Sequence, residues 1–264
     1  MLLRMLPPGL YAGRVSRLIE RSALVYRRAW LVFVSGVVEP LLYLLAFQIG
    51  FGALVGDVIG PGGQPMTYVA FVAPALLVAS AMNGAVFDAT FAVYFKFRWS
   101  RLYEAMLATP IGPLDIALGE ISWAVLRGGM YSVAFLAVMA VMGLVTSPLA
   151  LLLIPVALLV SLAFAAVGMA CATFLRTPSQ FEYIQLAVMP MFLFSTTFYP
   201  LSVYPGPLQA VVQVSPLYHG VELARGFATG VVDLSMLGHV AYLLALAAVG
   251  VWAAARRVSK LLLR

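Results

Sequence analysis

The order of apolar and polar residues along this chain predicts membrane crossings. Six windows are apolar over about 20 residues, the length that a helix needs to cross a hydrocarbon core about 30 Å thick. They are residues 29–55, 68–93, 121–145, 149–174, 183–200 and 232–255. The windows are apolar on every side, whereas the strands of a membrane β-barrel alternate in polarity over about 10 residues. We therefore predict an all-α membrane protein with six transmembrane helices.

Composition leads to the same class. Hydrophobic residues make up 63% of the 264 residues and charged residues 10%, against about 25% charged in soluble domains. A soluble fold of this size would expose large apolar patches, whereas lipid tails accept such a surface. We predict one transmembrane domain at 29–255, between an N-terminal segment at 1–28 and a tail at 256–264.

Basic residues are distributed unevenly between the segments that join the windows. They accumulate before the first crossing, after the second and fourth, and at the end of the chain, while 56–67 and 146–148 carry none. Because Lys and Arg accumulate in cytoplasmic segments, both termini are predicted in the cytoplasm. The net charge of +6 then fits binding to anionic lipid headgroups and gives no reason to expect a nucleic-acid partner.

Two amphipathic segments are predicted on the cytoplasmic side. Residues 15–26 place apolar side chains at helical spacing with arginines on the other face, which predicts a helix in the membrane interface. Residues 95–107 show the same spacing, and this helix should end near Thr109 because Pro110 disfavours helical geometry in the residue before it. A short charged helix at about 95–109 either receives force from a soluble partner or is a passive surface helix.

The segment at 201–231 is too apolar for an ordinary loop, and its prolines leave no room for two more crossings. We expect short helices that enter and leave the membrane on the outer side, packed against protein. Glu222 and Arg225 are three apart on a predicted helix and are placed to pair. His219 and His239 lack the carboxylate or thiolate company that a metal site needs, so we predict no metal.

The polar side chains of Glu39, Asn83 and Asp88 fall inside the first two crossings. A charge at membrane depth costs about 2.5–3.5 kcal/mol on insertion scales, so such groups usually face protein or water. They either line or gate a substrate path, or they form hydrogen bonds between helices that fix the packing. Arg127, near the start of the third crossing, is expected to extend to the inner headgroups.

Two separated runs resemble a known family. The run FKFRWSRLYEAMLATPIGPLDIALGE at 95–120 is similar to the cytoplasmic segment after the second crossing in ABC-2 type permeases, in the branch that exports nodulation factors and drugs. The run FLFSTTFYPLSVYPGPLQAVVQVSPLYHGVELARG at 192–226 resembles the later half of that family's signature. Within this second run, the residues that we assign to an outer re-entrant motif are Tyr199, Pro200, His219, Glu222 and Arg225.

The resemblance implies the membrane subunit of an ATP-driven exporter in the cytoplasmic membrane of a bacterium. The helix after the second crossing would dock in a cleft of a cytoplasmic ABC ATPase, present in two copies, which binds ATP and Mg. By position, the contact would be made by Arg98, Arg101, Tyr103, Glu104, Met106, Leu107, Thr109 and Pro110. Residues 176–180 would form a minor contact. A second permease, identical or related, would complete the path among the membrane lipids.

ATP hydrolysis is expected in the partner, because this chain has no glycine-rich GxxxxGK[ST] loop to hold a phosphate. We therefore predict that the chain binds no cofactor and is not itself an enzyme. By analogy with the family, the cargo is an amphipathic drug, lipid or lipid-linked saccharide.

Two other classes of function compete with this interpretation. An ion-coupled secondary transporter or channel would use Glu39 and Asp88 to pass protons. An intramembrane enzyme would need a nucleophile with its base, or metal ligands at one depth, and two histidines with the single cysteine Cys171 supply neither. Purification separates an exporter subunit from a carrier, because a carrier transports without any ATPase.

Overall fold

Long apolar segments become helices here, because a backbone in lipid must satisfy its own hydrogen bonds. The computed structural model describes residues 13–28, 38, 41–51 and 55–262. The helices are α1 (Val15–Arg28), α2 (Leu41–Phe51), α3 (Tyr68–Arg98), α4 (Leu102–Leu107), α5 (Pro113–Val141), α6 (Pro148–Ala172), α7 (Phe181–Leu193), α8 (Gly206–Val214), α9 (Pro216–Thr229) and α10 (Ser235–Leu262). Two short strands, β1 (Val58–Ile59) and β2 (Pro65–Met66), pair antiparallel between α2 and α3.

Four of the described helices, α3, α5, α6 and α10, are long and apolar enough to cross a membrane. They correspond to the predicted crossings at 68–93, 121–145, 149–174 and 232–255. The first predicted crossing lies partly outside the described residues, and α2 covers its later part. The fifth, at 183–200, is helical only as far as Leu193, where α7 ends after 13 residues. A mostly helical membrane fold is therefore confirmed, and the count of six crossings stays a prediction.

α6 is the central helix of the bundle and packs against α3, α5, α9 and α10. Small residues allow these helices to approach closely, as is typical of packing inside a membrane. A Cβ atom on Gly250 of α10 would lie 2.8 Å from the backbone nitrogen of Val167 in α6. A Cβ atom on Gly128 of α5 would overlap the hydroxyl of Ser161. Gly128 and Gly250 thus allow close contact of α5 and α10 with α6.

The segment predicted as one helix at 95–107 consists of two. α3 continues as far as Arg98, and α4 begins at Leu102. Between them the backbone of Arg101 has φ 45° and ψ 31°, a left-handed conformation that is unfavourable for a non-glycine residue and interrupts a helix. The prediction of a single helix at 95–107 was wrong. The apolar residues keep their helical spacing across the break, so the spacing does not reveal it.

The segment at 201–231 forms the two short helices that its prolines predict. α8 and α9 lie near the start of α6, where Thr146 Oγ1 donates to the carbonyl of Ala228 at 3.0 Å. α4 follows the opposite end of α3. We call these two ends of the bundle the α9 end and the α4 end.

Candidate functional site

The two faces of α4 have different surroundings. Tyr103 and Met106 are buried in the α4 end of the bundle, with 2% and 8% of their surface exposed. The exposed members of the predicted ATPase contact are Arg98, Arg101, Glu104, Thr109 and Pro110, and Leu107 is half-buried. The residues of the predicted ATPase contact therefore fall into an exposed group and a buried group. Tyr103 and Met106 support α4 from beneath, since their side chains point into their own chain.

Tyr103 fixes α4 to an ion pair beneath it. The Glu120 carboxylate of α5 accepts a hydrogen bond from Lys96 Nζ of α3 at 2.6 Å, and the Tyr103 hydroxyl lies beside the same carboxylate. Burial, and then the Glu120 carboxylate, raise the pKa of Tyr103 well above its ordinary value, so the hydroxyl stays neutral. The Tyr103 side chain thereby places α4 next to both of the helices that flank it in the chain.

α1 packs against the beginning of α5. A Cβ atom on Gly119 would lie 2.7 Å from Leu18 Cδ1, so a larger residue would separate the two helices. Asp115 joins the two helix starts: its Oδ1 accepts from the backbone nitrogen of Arg14 at 3.0 Å, and its Oδ2 accepts from that of Gly112 at 2.9 Å. α1 coincides with the amphipathic helix predicted at 15–26, and one of its faces belongs to the α4 end, while its place in the membrane interface stays a prediction.

Asp88 of α3 and Arg127 of α5 form a buried ion pair further along these helices. Arg127 Nε lies 2.7 Å from Asp88 Oδ2, and the two side chains are 7% and 5% exposed. Arg127 also donates to the Tyr26 hydroxyl of α1 at 2.7 Å. The prediction that Arg127 extends to the headgroups was wrong, because an acidic partner and a tyrosine hold it inside the bundle. The cluster joins three helices.

A cavity of about 760 Å³ opens beside this ion pair, between α3, α5 and α7. Its walls are largely apolar, and the rings of Phe91 and Phe181 meet at its edge with 5.2 Å between their centres. Its polar lining groups include Ser80, Asn83, Thr90, Arg127 and Gln185. The volume is in the range of sites that bind a small organic molecule.

The structure separates the three residues that were predicted to line or gate a path. Asn83 is exposed and lines the cavity. Asp88 is buried behind Arg127 and belongs to the helix-joining group. Glu39 lies outside the described residues. α3 also contains a π-helical segment at Asp88–Ala92, a distortion that is frequent at functional sites.

Arg225, at the α9 end, is 2% exposed and is hydrogen-bonded in three directions. Its Nη1 donates to Glu222 Oε1 at 3.0 Å, which confirms the predicted pair. Its Nη2 donates to the carbonyl of Thr196 at 2.6 Å and its Nε to the carbonyl of Phe71 at 3.4 Å. The guanidinium also stacks on the Phe71 ring, 3.7 Å from its centre. This group, the Arg225 clamp, joins α9 to α3 and to the turn after α7.

The clamp holds an unfavourable backbone conformation. Thr196, just after α7, has a φ of 57°, and its hydroxyl donates to Glu222 Oε1 at 3.0 Å. A left-handed threonine persists when surrounding contacts determine its position. Tyr199 and Pro200, also part of the predicted outer motif, lie further along the same turn, where Tyr199 is exposed.

His219 of α9 and His239 of α10 are in direct contact. Their Nδ1 atoms are 2.7 Å apart, so one nitrogen donates and the other accepts, and at most one ring carries a charge. The Tyr242 ring stacks on His219 with 3.9 Å between centres. Within the described ranges, no group of three or more His, Cys, Asp or Glu side chains is placed to hold a metal ion.

Sequence reasoning missed the partners of Asp88 and the second wall of the cavity. Arg127 and Tyr26 come from other helices, and Ser80 and Gln185 looked like isolated polar residues in apolar runs. The available signal was a pair of opposite charges at comparable depth in two crossings. Asp88 and Arg127 lie about three and four helical turns, respectively, from the α4 end of their helices.

Comparison with known proteins identifies relatives over most of the chain. Residues 14–227 match the family described as ABC-2 type transporter. Nodulation protein J of Rhizobium meliloti (strain 1021) is 30% identical over 213 residues, which cover 80% of this chain and 79% of that protein. Nodulation protein J of Rhizobium leguminosarum bv. viciae is 32% identical over 209 residues, 78% of each chain. The probable doxorubicin resistance ABC transporter permease protein DrrC of Mycobacterium tuberculosis (strain CDC 1551 / Oshkosh) is 26% identical over 230 residues, 82% of this chain and 76% of that protein.

Proposed function

Because this chain belongs to the ABC-2 type transporter family, we propose that it is the membrane subunit of an exporter driven by a separate ABC ATPase. Its cargo is an amphipathic molecule, such as a drug, a lipid or a lipid-linked saccharide, which moves outward across the bacterial cytoplasmic membrane. The name of the mycobacterial relative refers to drug resistance and to a permease, which supports an efflux role. ATP and Mg bind to the partner, of which the complex contains two copies.

The observation that carries this proposal is the two-faced environment of α4. Arg101 and Glu104 are exposed, so they are available to a soluble protein. Tyr103 and Met106 hold the other face on the bundle. A displacement of α4 is therefore passed directly to α3 and α5, the helices that also carry the cavity.

The cavity beside Arg127 is the proposed cargo site, and Asn83 is its proposed polar contact. Closure of the two ATPases would move α4 in each of two paired permeases and alternate the access of the cavity between inside and outside. α7 supports a paired arrangement, because Tyr183, Leu186 and Met189 expose a large apolar surface along it. That surface contacts lipid or the second permease.

Charge reversal on α4 tests the contact with the ATPase. The variant Arg101→Glu with Glu104→Arg should insert normally and lose co-purification of the ATPase. Both side chains are exposed, and exposed substitutions of this kind usually change stability by no more than about 0.5 kcal/mol. The matched control is Asp57→Arg, a charge reversal at an exposed position near the α9 end, which should leave co-purification unchanged. Undiminished co-purification of the α4 variant would overturn the proposed docking face.

A further inference from the structure

The cavity wall contains one charged side chain among the described lining residues, and that charge is compensated. Arg127 lines the cavity, and the Asp88 carboxylate lies 2.7 Å behind it. The other polar lining groups are hydroxyls and amides, including Ser80, Asn83 and Gln185. The part of the wall formed by the described residues is therefore electrically neutral although it contains a guanidinium.

Two of the three Arg127 nitrogens face groups of the protein itself. Its Nε faces Asp88, and its Nη1 donates to Tyr26. Asn83 and Gln185, in contrast, are exposed, and each amide both donates and accepts hydrogen bonds. The free polar capacity of this part of the wall thus lies in uncharged groups.

A charged ligand head would lose its hydration in this cavity without gaining an opposite charge. Burying an uncompensated charge is strongly unfavourable, whereas a buried hydroxyl or amide is tolerated once it is hydrogen-bonded. Apolar portions of a ligand can lie along the rings of Phe87, Phe91 and Phe181, which complete the lining. The chemistry of the wall favours a molecule with an uncharged polar part and an apolar part.

We propose that the Asp88–Arg127 ion pair determines the charge selectivity of the cavity, and that the intact pair selects amphipathic molecules whose polar part is uncharged and rich in hydroxyl or amide groups. This inference rests on the proposed function and specifies the substrate class of the same site. Loss of Asp88 leaves an uncompensated guanidinium at the wall, which favours an anionic head.

Binding of three matched probes to the full chain in lipid nanodiscs tests this inference without nucleotide or ATPase. The probes share one fluorescent alkyl chain and carry a glucosyl, a carboxylate or a trimethylammonium head. The unaltered chain should bind the glucosyl probe about ten-fold more tightly than either charged probe, a modest free-energy difference. Asp88→Asn should shift the preference to the carboxylate, and the double variant of Asp88→Asn with Arg127→Gln should return it to the glucosyl probe.

A second pair of variants avoids the risk that an unpaired buried charge prevents folding. Gln185 lines the cavity and is exposed, so Gln185→Lys and Gln185→Glu leave the ion pair intact. They should shift the preference toward the carboxylate and the trimethylammonium probe, respectively. Glu182→Lys is the matched control, because Glu182 is exposed on the same helix and is not among the residues that line the cavity.

A variant in which a larger side chain fills the cavity shows whether the probes bind there. Asn83→Trp should weaken the binding of all three probes about ten-fold or more, as expected when a ligand loses its pocket. Equal affinity of the unaltered chain for all heads, or unchanged preferences in both the Asp88→Asn and Gln185→Lys variants, would overturn the inference. Absence of binding by any probe would overturn it as well. Failure of the exporter assignment has a different signature, since it removes ATPase co-purification and leaves these preferences intact.

Discussion

Arg127 and Arg225, the two buried arginines of the described chain, have different surroundings. Arg225 at the α9 end binds the carbonyls of two other segments as well as a carboxylate and an aromatic ring. Arg127 binds side chains, Asp88 and Tyr26, that belong to two other helices. Arg127 Nε and Asp88 Oδ2 are 2.7 Å apart, but neither they nor Asp88 Oδ1 form a hydrogen bond of good geometry within the described ranges. An arginine that is bonded to backbone carbonyls fixes a structure, whereas one held by side chains beside a cavity can respond when helices move.

The largest effect should follow loss of the Arg225 clamp. Arg225→Met removes the donor to the Thr196 carbonyl and the buried partner of Glu222 and should lower the free energy of unfolding by about 3–5 kcal/mol. Denaturant titration in detergent micelles measures the change. Arg256→Met is the control, because Arg256 is exposed, and its loss should stay within about 0.5 kcal/mol. If the two variants were equally stable, the structural role assigned to the Arg225 clamp would be contradicted.

The Asp88–Arg127 pair should show strong coupling in a double-mutant cycle. Asp88→Asn and Arg127→Gln each leave one buried charge without its partner, so the double variant should be more stable than the sum of the single effects predicts, by up to about 3 kcal/mol. Unfolding free energies of all four proteins give the coupling. Additive effects would mean that the two side chains act independently and would remove the basis of the charge selectivity.

Two matched tyrosine substitutions compare a hydrogen bond at Arg127 with one at the α9 end. Tyr26→Phe removes the acceptor of Arg127, and Tyr242→Phe removes a 2.7 Å hydrogen bond to the carbonyl of Val214 at the α9 end. Each should cost about 1 kcal/mol of stability. Only Tyr26→Phe should also reduce ATP-driven transport, because only it loosens α1 from the cluster at the cavity. Equal loss of transport in both variants would contradict this division.

Acid should weaken the α9 end slightly. Burial, and then the His239 ring, lower the pKa of His219 from 6.5 to about 4. A base whose pKa is lowered on folding stabilises the fold above its unfolded pKa, and this contribution is lost as pH falls from about 6.5 toward about 4. The effect is reduced because the His219 side chain is only half-buried. Thermal unfolding across this range should show a falling midpoint, and His219→Gln should flatten the curve.

Features that belong to a single segment were predictable from the sequence. Apolar composition located four long helices, prolines located α8 and α9, and a spacing of three on one helix predicted the Glu222–Arg225 pair. Features that depend on packing between segments were not. Asp88 and Arg127 meet only because α3 and α5 pack side by side. No residue-level signal marks a left-handed Arg101, since glycine is the usual occupant of that conformation.

The break at Arg101 explains why the residues of the predicted ATPase contact face in two directions. Helical spacing placed Tyr103 and Met106 on a continuous apolar stripe with residues of α3. The turn at Arg101 resets the direction of α4, so both side chains enter the bundle and Glu104 remains exposed. The charged half of the set keeps its predicted role, which is still to be measured.

The central claim, export driven from the α4 end, is tested most directly with inside-out membrane vesicles that contain this chain and its co-purifying ATPase. The vesicles are supplied with the fluorescent glucosyl amphiphile. The account predicts accumulation that requires ATP, persists when the proton gradient is collapsed, and is lost in the Arg101→Glu, Glu104→Arg variant. Accumulation that continues without ATP or ATPase and stops when the proton gradient is collapsed would contradict the account and identify an ion-coupled carrier.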